Sequence, residues 1–224
     1  MLNLFFPNIC LGCDLPLLKY EKLICTSCRH QLPVLPQQNF NNSNMKSLFY
    51  GRIPVKNATA LLRFEKKGIT QRLMHQLKYK GQYELSTFFG EWLGEELTFQ
   101  DQYCSFDMVI PVPLHKTRLK KRGYNQVEGF GKAIASKLNI PYRDDVLLKK
   151  TQTHSQVFKQ RVRRILSVTG GDGVFLLDRP ESIVDNHILL VDDIVTTGAT
   201  LENCALELLN AKGIRISFAT IAIA

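Results

Sequence analysis

The stretch Ile188–Thr200, ILLVDDIVTTGAT, governs the reading of this chain. Four apolar residues run into two adjacent aspartates, Asp192 and Asp193. A hydroxyl-rich turn follows, Thr196-Thr197-Gly198-Ala199-Thr200, and then an apolar-periodic segment. The pattern predicts a buried strand over His187–Val191, a loop, and a helix over Ala199–Lys212. Carboxylates at the C-terminal end of a strand can hold sugar hydroxyls or a hydrated cation. The N–H groups of a turn at a helix N-terminus can hold a phosphate. Ribose plus phosphate is the ligand that suits both halves. Apolar runs ending in Asp before a Thr/Gly turn also occur in α/β proteins where Thr only caps a helix. The full 13-residue string is much more specific than Asp-Asp alone.

Outward from this motif, strands and helices alternate. Strands are expected over Ala58–Phe64, Asp107–Val112, Val146–Leu148, Val174–Leu177 and Ile214–Ala222. Helices are expected over Ile69–Tyr79, with Ile69, Leu73 and Leu77 in helical period, over Leu85–Leu97, and over Asn125–Leu138. Such alternation argues for an α/β domain with a mainly parallel sheet flanked by helices. Asn39–Ser47 is polar and Asn-rich and reads as a linker or exposed loop. The boundary is placed near residue 50, giving a module over 1–50 and a larger domain over 51–224. No internal repeat is evident.

The chain has 224 residues, 45% apolar and 22% charged, an ordinary globular composition able to bury a core. No apolar run approaches the roughly 20 residues that cross a bilayer, so no membrane insertion is expected. The N-terminus, MLNLFFPNIC, lacks the basic start and small-residue cleavage site of a signal peptide, and a cytoplasmic location is the default. The sequons at Asn41 and Asn57 then carry no meaning. Net charge is +9, and it is concentrated. Between His115 and Arg164 stand 14 Lys/Arg against Glu128, Asp144 and Asp145, an excess of +11, so the rest of the chain carries −2. A focused basic segment suggests a polyanion partner: pyrophosphate, nucleotide or nucleic acid. A generally basic soluble protein is the plainer alternative.

Four of the six cysteines form two knuckles, Cys10-x2-Cys13 and Cys25-x2-Cys28, separated by 11 residues. Four thiolates at this spacing can close a tetrahedron on one zinc ion. A disulfide framework would need an oxidising compartment, and a thioredoxin-like motif would need one knuckle beside a βαβ unit. A segment this short cannot build a sufficient core, so the metal is expected to stabilise its fold. Its four ligands leave no open position for a catalytic water. Cys104 and Cys204 read as buried or inert thiols.

The third constellation is Ile110–Gln126, IPVPLHKTRLKKRGYNQ. A strand ends in Pro-Val-Pro, and five cations follow within seven residues: Lys116, Arg118, Lys120, Lys121 and Arg122. Gly123 and Asn125 suit a turn and helix cap. A loop of this kind, around Pro113, Lys116, Arg118 and Arg122, can neutralise a pyrophosphate, although a solvated basic helical turn has the same composition.

The Val191–Thr200 segment resembles the 5-phosphoribosyl-1-pyrophosphate (PRPP) motif of type I phosphoribosyltransferases. The four-cysteine module, the P-V-P-L-H-x-x-R-L-x-x-R-G-Y-N-Q segment and VDDIVTTGAT occur in that order. Together they resemble the ComF family of competence-associated, phosphoribosyltransferase-like proteins in its form with an N-terminal zinc finger. Thr151–Arg164 resembles the family's Thr/Gln/Arg-rich stretch, which takes the place of the mobile active-site loop. The sequence then departs from the family's Arg-x-x-Asn-Val-x-Gly-x-Phe, since Arg163–Gly171 lacks the Asn and adds residues before Phe175. The resemblance implies a type I phosphoribosyltransferase-like α/β fold with a small zinc module. It also implies a part in DNA uptake during natural transformation, handling incoming single strands beside DNA-uptake machinery.

Two function classes stay open. As a phosphoribosyltransferase, the protein would hold PRPP with Mg²⁺ between ribose hydroxyls and pyrophosphate. Asp192 and Asp193 would sit on the ribose, with Thr196, Thr197, Gly198, Ala199 and Thr200 on the phosphate. Lys116, Arg118 and Arg122 would stabilise the departing pyrophosphate while an amine or nucleobase attacks C1′. As a binder, it would recognise PRPP or a ribose-phosphate end without turnover. The basic surface, with Lys149, Lys150, Arg163 and Arg164 outside the pyrophosphate loop, would track single-stranded DNA. Tyr124 and Tyr142 are stacking candidates. No segment that reads an acceptor base is recognisable, which favours the binder, an accessory of DNA uptake.

Overall fold

A computed structural model of the chain describes residues 8–36, 43–100, 105–150 and 174–224; the side chains of Ser43, Lys116 and Lys121 also lie outside the description. Asn41, Cys104, Arg163, Arg164 and the Thr151–Arg164 stretch fall beyond these limits. Four parallel strands form the central sheet in the order β1(Ala58–Arg63), β6(Arg215–Ile223), β5(His187–Val195), β2(Met108–Pro111). A separate antiparallel ribbon pairs β3(Leu147–Lys149) with β4(Phe175–Leu177). The helices are α1(Thr26–His30), α2(Ser43–Ser47), α3(Ile69–Tyr79), α4(Glu84–Thr98), α5(Lys116–Arg122), α6(Glu128–Leu138) and α7(Ala199–Leu208). The α/β class with a mainly parallel sheet holds.

Successive strand side chains point to opposite faces, so each central strand feeds two cores. Leu189 and Val191 of β5, with Ala219 and Ile221 of β6, join the first core beneath α3, α4 and α6. Ile188 and Leu190, with Ile216 and Phe218, join the second beneath α7, the ribbon and Met45-Phe49-Ile53. α4 and α6 cross closely: a Cβ on Gly90 would lie 2.5 Å from the Phe130 carbonyl oxygen. Backbone cannot yield there as a flexible side chain would.

The cysteine module is seated on this frame. Cys10, Leu11, Ile24, Cys28 and Leu32 belong to the first core. Pro33–Leu35 pair antiparallel with β1: Leu35 N–H donates to Leu61 O at 2.9 Å, and Arg63 N–H donates to Pro33 O at 2.9 Å. An exposed edge invites pairing with other chains, and this run covers β1 on its open side. The Arg29 guanidinium lies 4.9 Å from the Trp92 ring centroid and 5.7 Å from that of Phe88, tying α1 to α4.

Four elements differ from expectation. The basic segment is a helix rather than a loop: His115 Nδ1 accepts from Thr117 N–H at its start, and Gly123, at φ 83°, closes it through an N–H bond to Leu119 O. Arg, Lys and Leu are good helix formers, and a glycine just past the last turn is the common stop. β5 continues through both aspartates to Val195, because β6 keeps pairing with it as far as Ile223. α7 ends at Leu208, short of Lys212, and α6 begins at Glu128 rather than Asn125.

Candidate ribose-phosphate site and cysteine cluster

β2 pairs with β5 only as far as Pro111 opposite Val191, with one further bond from Val112 N–H to Val191 O at 2.9 Å. The two prolines of Pro111-Val112-Pro113 have no N–H to extend the ladder. β5 therefore runs on alone on that side, carrying Asp192 and Asp193. This is the carboxyl end of a parallel sheet, where ligands of open α/β folds bind.

The two aspartates are 8% and 6% exposed and, as strand neighbours, point to opposite faces. Asp193 turns to the α3 side, where Lys78 Nζ lies 3.0 Å from its Oδ2. The contact is ionic, off the line of a good hydrogen bond. Its Oδ1 accepts from the Ile194 N–H at 2.6 Å. Asp192 Oδ1 accepts from the Asp193 N–H at 2.8 Å. Burial, reinforced by the Asp193 charge, pushes the Asp192 carboxyl up to about 8, against the smaller pull of Lys78 and Lys149. Lys149 is held down by burial and by the Arg118 charge, and its ammonium sits 5.2 Å from the Phe175 ring centroid.

Asp192 and Thr196–Leu201 enclose a cradle of ≈ 40 Å³ at the start of α7, room for one small anionic group. Gly198 makes the turn with φ +79°, and a Cβ there would meet the Phe49 ring at 2.7 Å. Arg52 latches the turn: Nη2 donates to Thr197 O at 3.2 Å, and Nη1 pairs with Glu202 Oε2 at 2.6 Å. Arg118 and Arg122, four residues apart on α5, share one face and line a cleft with Lys78. Pro113, Lys149 and Lys150 line a different cleft of ≈ 550 Å³. The structure thus gathers Asp192, the turn, Lys149 and Arg118 around the end of β5. Lys150 lines the same cleft as Pro113 and Lys149, and the side chain of Lys116 is not described.

Sequence reasoning missed Lys78 and Arg52. Lys78 stands 115 positions before Asp193, with no spacing signal to join them. Arg52 follows a stretch that reads as linker, and no local pattern marks it.

The four cysteine sulfurs of the N-terminal module lie within 4.8 Å of one another, with Cys13 and Cys25 Sγ 3.8 Å apart. Ligands at about 2.3 Å around a tetrahedral zinc stand about 3.8 Å apart, so the cluster fits such a metal ion. Burial works against ionising Cys10, but N–H groups of Cys25, Gly12 and Cys13 outweigh it and bring the thiol down to about 7. Cys28 is pushed up by burial and by its neighbouring thiols. A bound cation would supply the missing positive charge. Cys204 is buried in the second core.

The Asp192 carboxyl sets a pH dependence. Its ordinary value of 3.8 describes the unfolded chain, against about 8 in the fold, so the folded state holds the extra proton between these limits. Stability of the ligand-free protein should therefore fall as pH rises from about 4 to about 8. Asp192→Asn should abolish that fall and raise stability at about pH 8, by about 1.4 kcal/mol for every tenfold by which folding tightens the hold on this proton. Denaturant unfolding across this range checks it; a variant less stable than the parent at the alkaline end contradicts it.

The profile described as "Phosphoribosyl transferase domain" matches residues 128–223. Competence protein ComFC of Streptococcus pneumoniae is 35% identical over 61% of this chain and 54% of its own. DNA utilization protein YhgH of Escherichia coli O157:H7 is 28% identical over 61% of this chain and 60% of its own. The chain therefore spans little more than half the length of these relatives. ComFC of Bacillus subtilis is 25% identical over 89% of both chains. Among solved structures, a Trypanosoma cruzi hypoxanthine phosphoribosyltransferase is 15% identical, with TM-score 0.38 over 63% of this chain and 75% of that one. None of the described helices is long and apolar enough to cross a membrane. With the cysteine cluster, the basic helix and the Val191–Thr200 motif on one sheet, the chain carries a phosphoribosyltransferase-type domain and is similar to the ComFC competence proteins.

Proposed function

We propose that this protein is a cytoplasmic accessory of DNA uptake that binds PRPP or a ribose-phosphate end and single-stranded DNA. The observation that carries the reading is the end of β5, where a cradle of ≈ 40 Å³ adjoins two buried acid groups, with Lys78 paired to Asp193 and Lys149 close enough to feel the Asp192 charge. In this reading the turn Thr196–Thr200 takes a 5′-phosphate on its N–H groups and hydroxyls. Asp192 and Asp193 orient ribose hydroxyls, directly or through Mg²⁺, which would neutralise the carboxylates and the diphosphate. Lys78, Arg118 and Arg122, with Pro113 and Lys116 nearby in sequence, face the diphosphate side. The names of the competence and DNA-utilization relatives supply the biological setting.

Lys149 leaves the nucleic-acid set in this reading, because it is partly buried over the Phe175 ring and feels the Asp192 charge, which suits the sugar-phosphate site instead. Lys150, Arg163 and Arg164 remain as strand contacts. The division into residues 1–50 and 51–224 is kept, with zinc as the metal of the cysteine cluster and a structural role for it.

The acceptor question separates binder from enzyme. The cations beside the aspartates would suit a departing pyrophosphate, which keeps phosphoribosyl transfer to an amine or nucleobase as the second reading. Purified protein with Mg²⁺ and PRPP should bind the ligand by calorimetry, and Asp192→Ala/Asp193→Ala should weaken that binding by about tenfold or more, the loss of one charge-assisted contact or two. Pyrophosphate release with a panel of bases and amines should stay at background. Sustained release with one acceptor would establish the enzyme, and undiminished affinity in the double variant would place the ligand elsewhere.

The cysteine cluster should hold one zinc per chain, and Cys25→Ser should lose most of it. Because Cys10 and Cys28 are buried with Leu61 and Leu62 in the first core, chelation should lower the melting temperature of the whole chain as well as loosen the module. Elemental analysis well below one zinc, or full retention in the variant, contradicts the assignment.

A further inference from the structure

On the α3 and α5 side of the molecule lies a cleft of ≈ 370 Å³ lined by Lys78, Tyr79, Gly81, Arg118, Arg122 and Tyr124. None of these described lining residues is acidic. Its rim is aromatic as well as cationic. Tyr79 and Tyr83, four positions apart in the chain, are 69% and 59% exposed. The Arg122 guanidinium stands 5.7 Å from the Tyr79 centroid and is hydrogen-bonded to Gln126 Oε1, so it is held in place over the ring. Tyr83 meets Tyr124 edge-on at 6.1 Å, and the Tyr124 hydroxyl donates to Leu77 O. Both exposed rings therefore rest against fixed neighbours and need little ordering when something stacks on them.

We propose that this cleft is a binding site for single-stranded nucleic acid, with bases stacking on Tyr79 and Tyr83 and backbone phosphates on Arg118 and Arg122. The proposal rests on the reading that the protein binds single strands. A pyrophosphate alone would use the guanidiniums and leave the rings idle in water. A strand uses both, because every base offers a π-face and every nucleotide brings a phosphate. A duplex keeps its base faces stacked inside and could use only the charges. The cleft also opens onto the candidate ribose-phosphate site: Lys78 lines it and reaches Asp193 at 3.0 Å. A strand lying here would bring its sugar-phosphate chain within one lysine's length of the carboxylate end of β5.

The test compares an oligothymidylate with an abasic strand of the same length by fluorescence anisotropy at low salt, using the full chain. The parent should bind the thymidylate about tenfold more tightly, the effect of stacking one base or two. Tyr79→Ala/Tyr83→Ala should erase that preference and leave PRPP affinity and melting temperature unchanged, whereas Tyr79→Phe/Tyr83→Phe should keep it. Arg118→Gln/Arg122→Gln should flatten the slope of log affinity against log salt by about 1.4, or about 0.7 for each lost phosphate contact. If the parent prefers the thymidylate and the alanine pair retains the preference, the bases stack elsewhere and this cleft is excluded while the broader reading stands. If the parent binds the two strands equally, stacking is refuted. If it binds neither strand, the cleft and the single-strand reading fall together.

Discussion

β2 stops at Pro111 while β5 continues to Val195, and the site follows from that mismatch. The prolines end one ladder, and β6 sustains the other through Asp192 opposite Thr220. The carboxylates are thereby carried inside the fold as strand residues. Burial of Asp192 is costly for the charged form, and the chain answers by holding its proton to about 8. Asp193 is answered by Lys78. A buried acid group and a lysine committed to its neighbour make sense at a place built to exchange these partners for a ligand or cation. A core optimised for stability alone would place apolar residues there.

The turn after β5 is held from behind rather than from the site. Phe49 fills the space that a Gly198 side chain would need, and Arg52 bonds both the Thr197 carbonyl and Glu202 of α7. The segment around α2 thus acts on the second face of the sheet, and the cysteine cluster on the first. Between them, Pro33–Leu35 cover the β1 edge. The N-terminal quarter of the chain closes the edge and both faces of the sheet whose four strands lie among the described residues. The cysteine cluster is joined to the main core through Cys10 and Cys28, so a metal held there would stabilise more than the module.

Much of this was legible in the sequence because burial imposes periodicity. β1, α3 and the strand pair β5 and β6 announce themselves through apolar runs or i, i+4 spacing, and the paired knuckles announce a tetrahedral cluster. The errors arise where polar residues are held by tertiary partners. Two aspartates in a strand look like a strand's end until β6 is seen to pair past them. Five cations in seven residues look like a loop, although their propensities favour the helix that forms. Charge alone also says nothing of where each cation points. Helical geometry turns Arg118 and Arg122 to one cleft, while Lys149, at the end of β3, lies over the Phe175 ring of the second core. Lys78 and Arg52 act at positions distant in sequence, and no local pattern marks them.

The central claim is that a ribose-phosphate ligand sits where β5 outruns β2, with its phosphate on the first turn of α7. Backbone amide resonances followed by NMR during titration with Mg²⁺ and PRPP test this most directly. The account predicts that the largest shifts fall on Asp193 and on Gly198 to Leu201, the N–H groups that line the cradle or bond the carboxylates. Saturation of the ligand with these amides unmoved, and shifts gathered elsewhere on the chain, would contradict it.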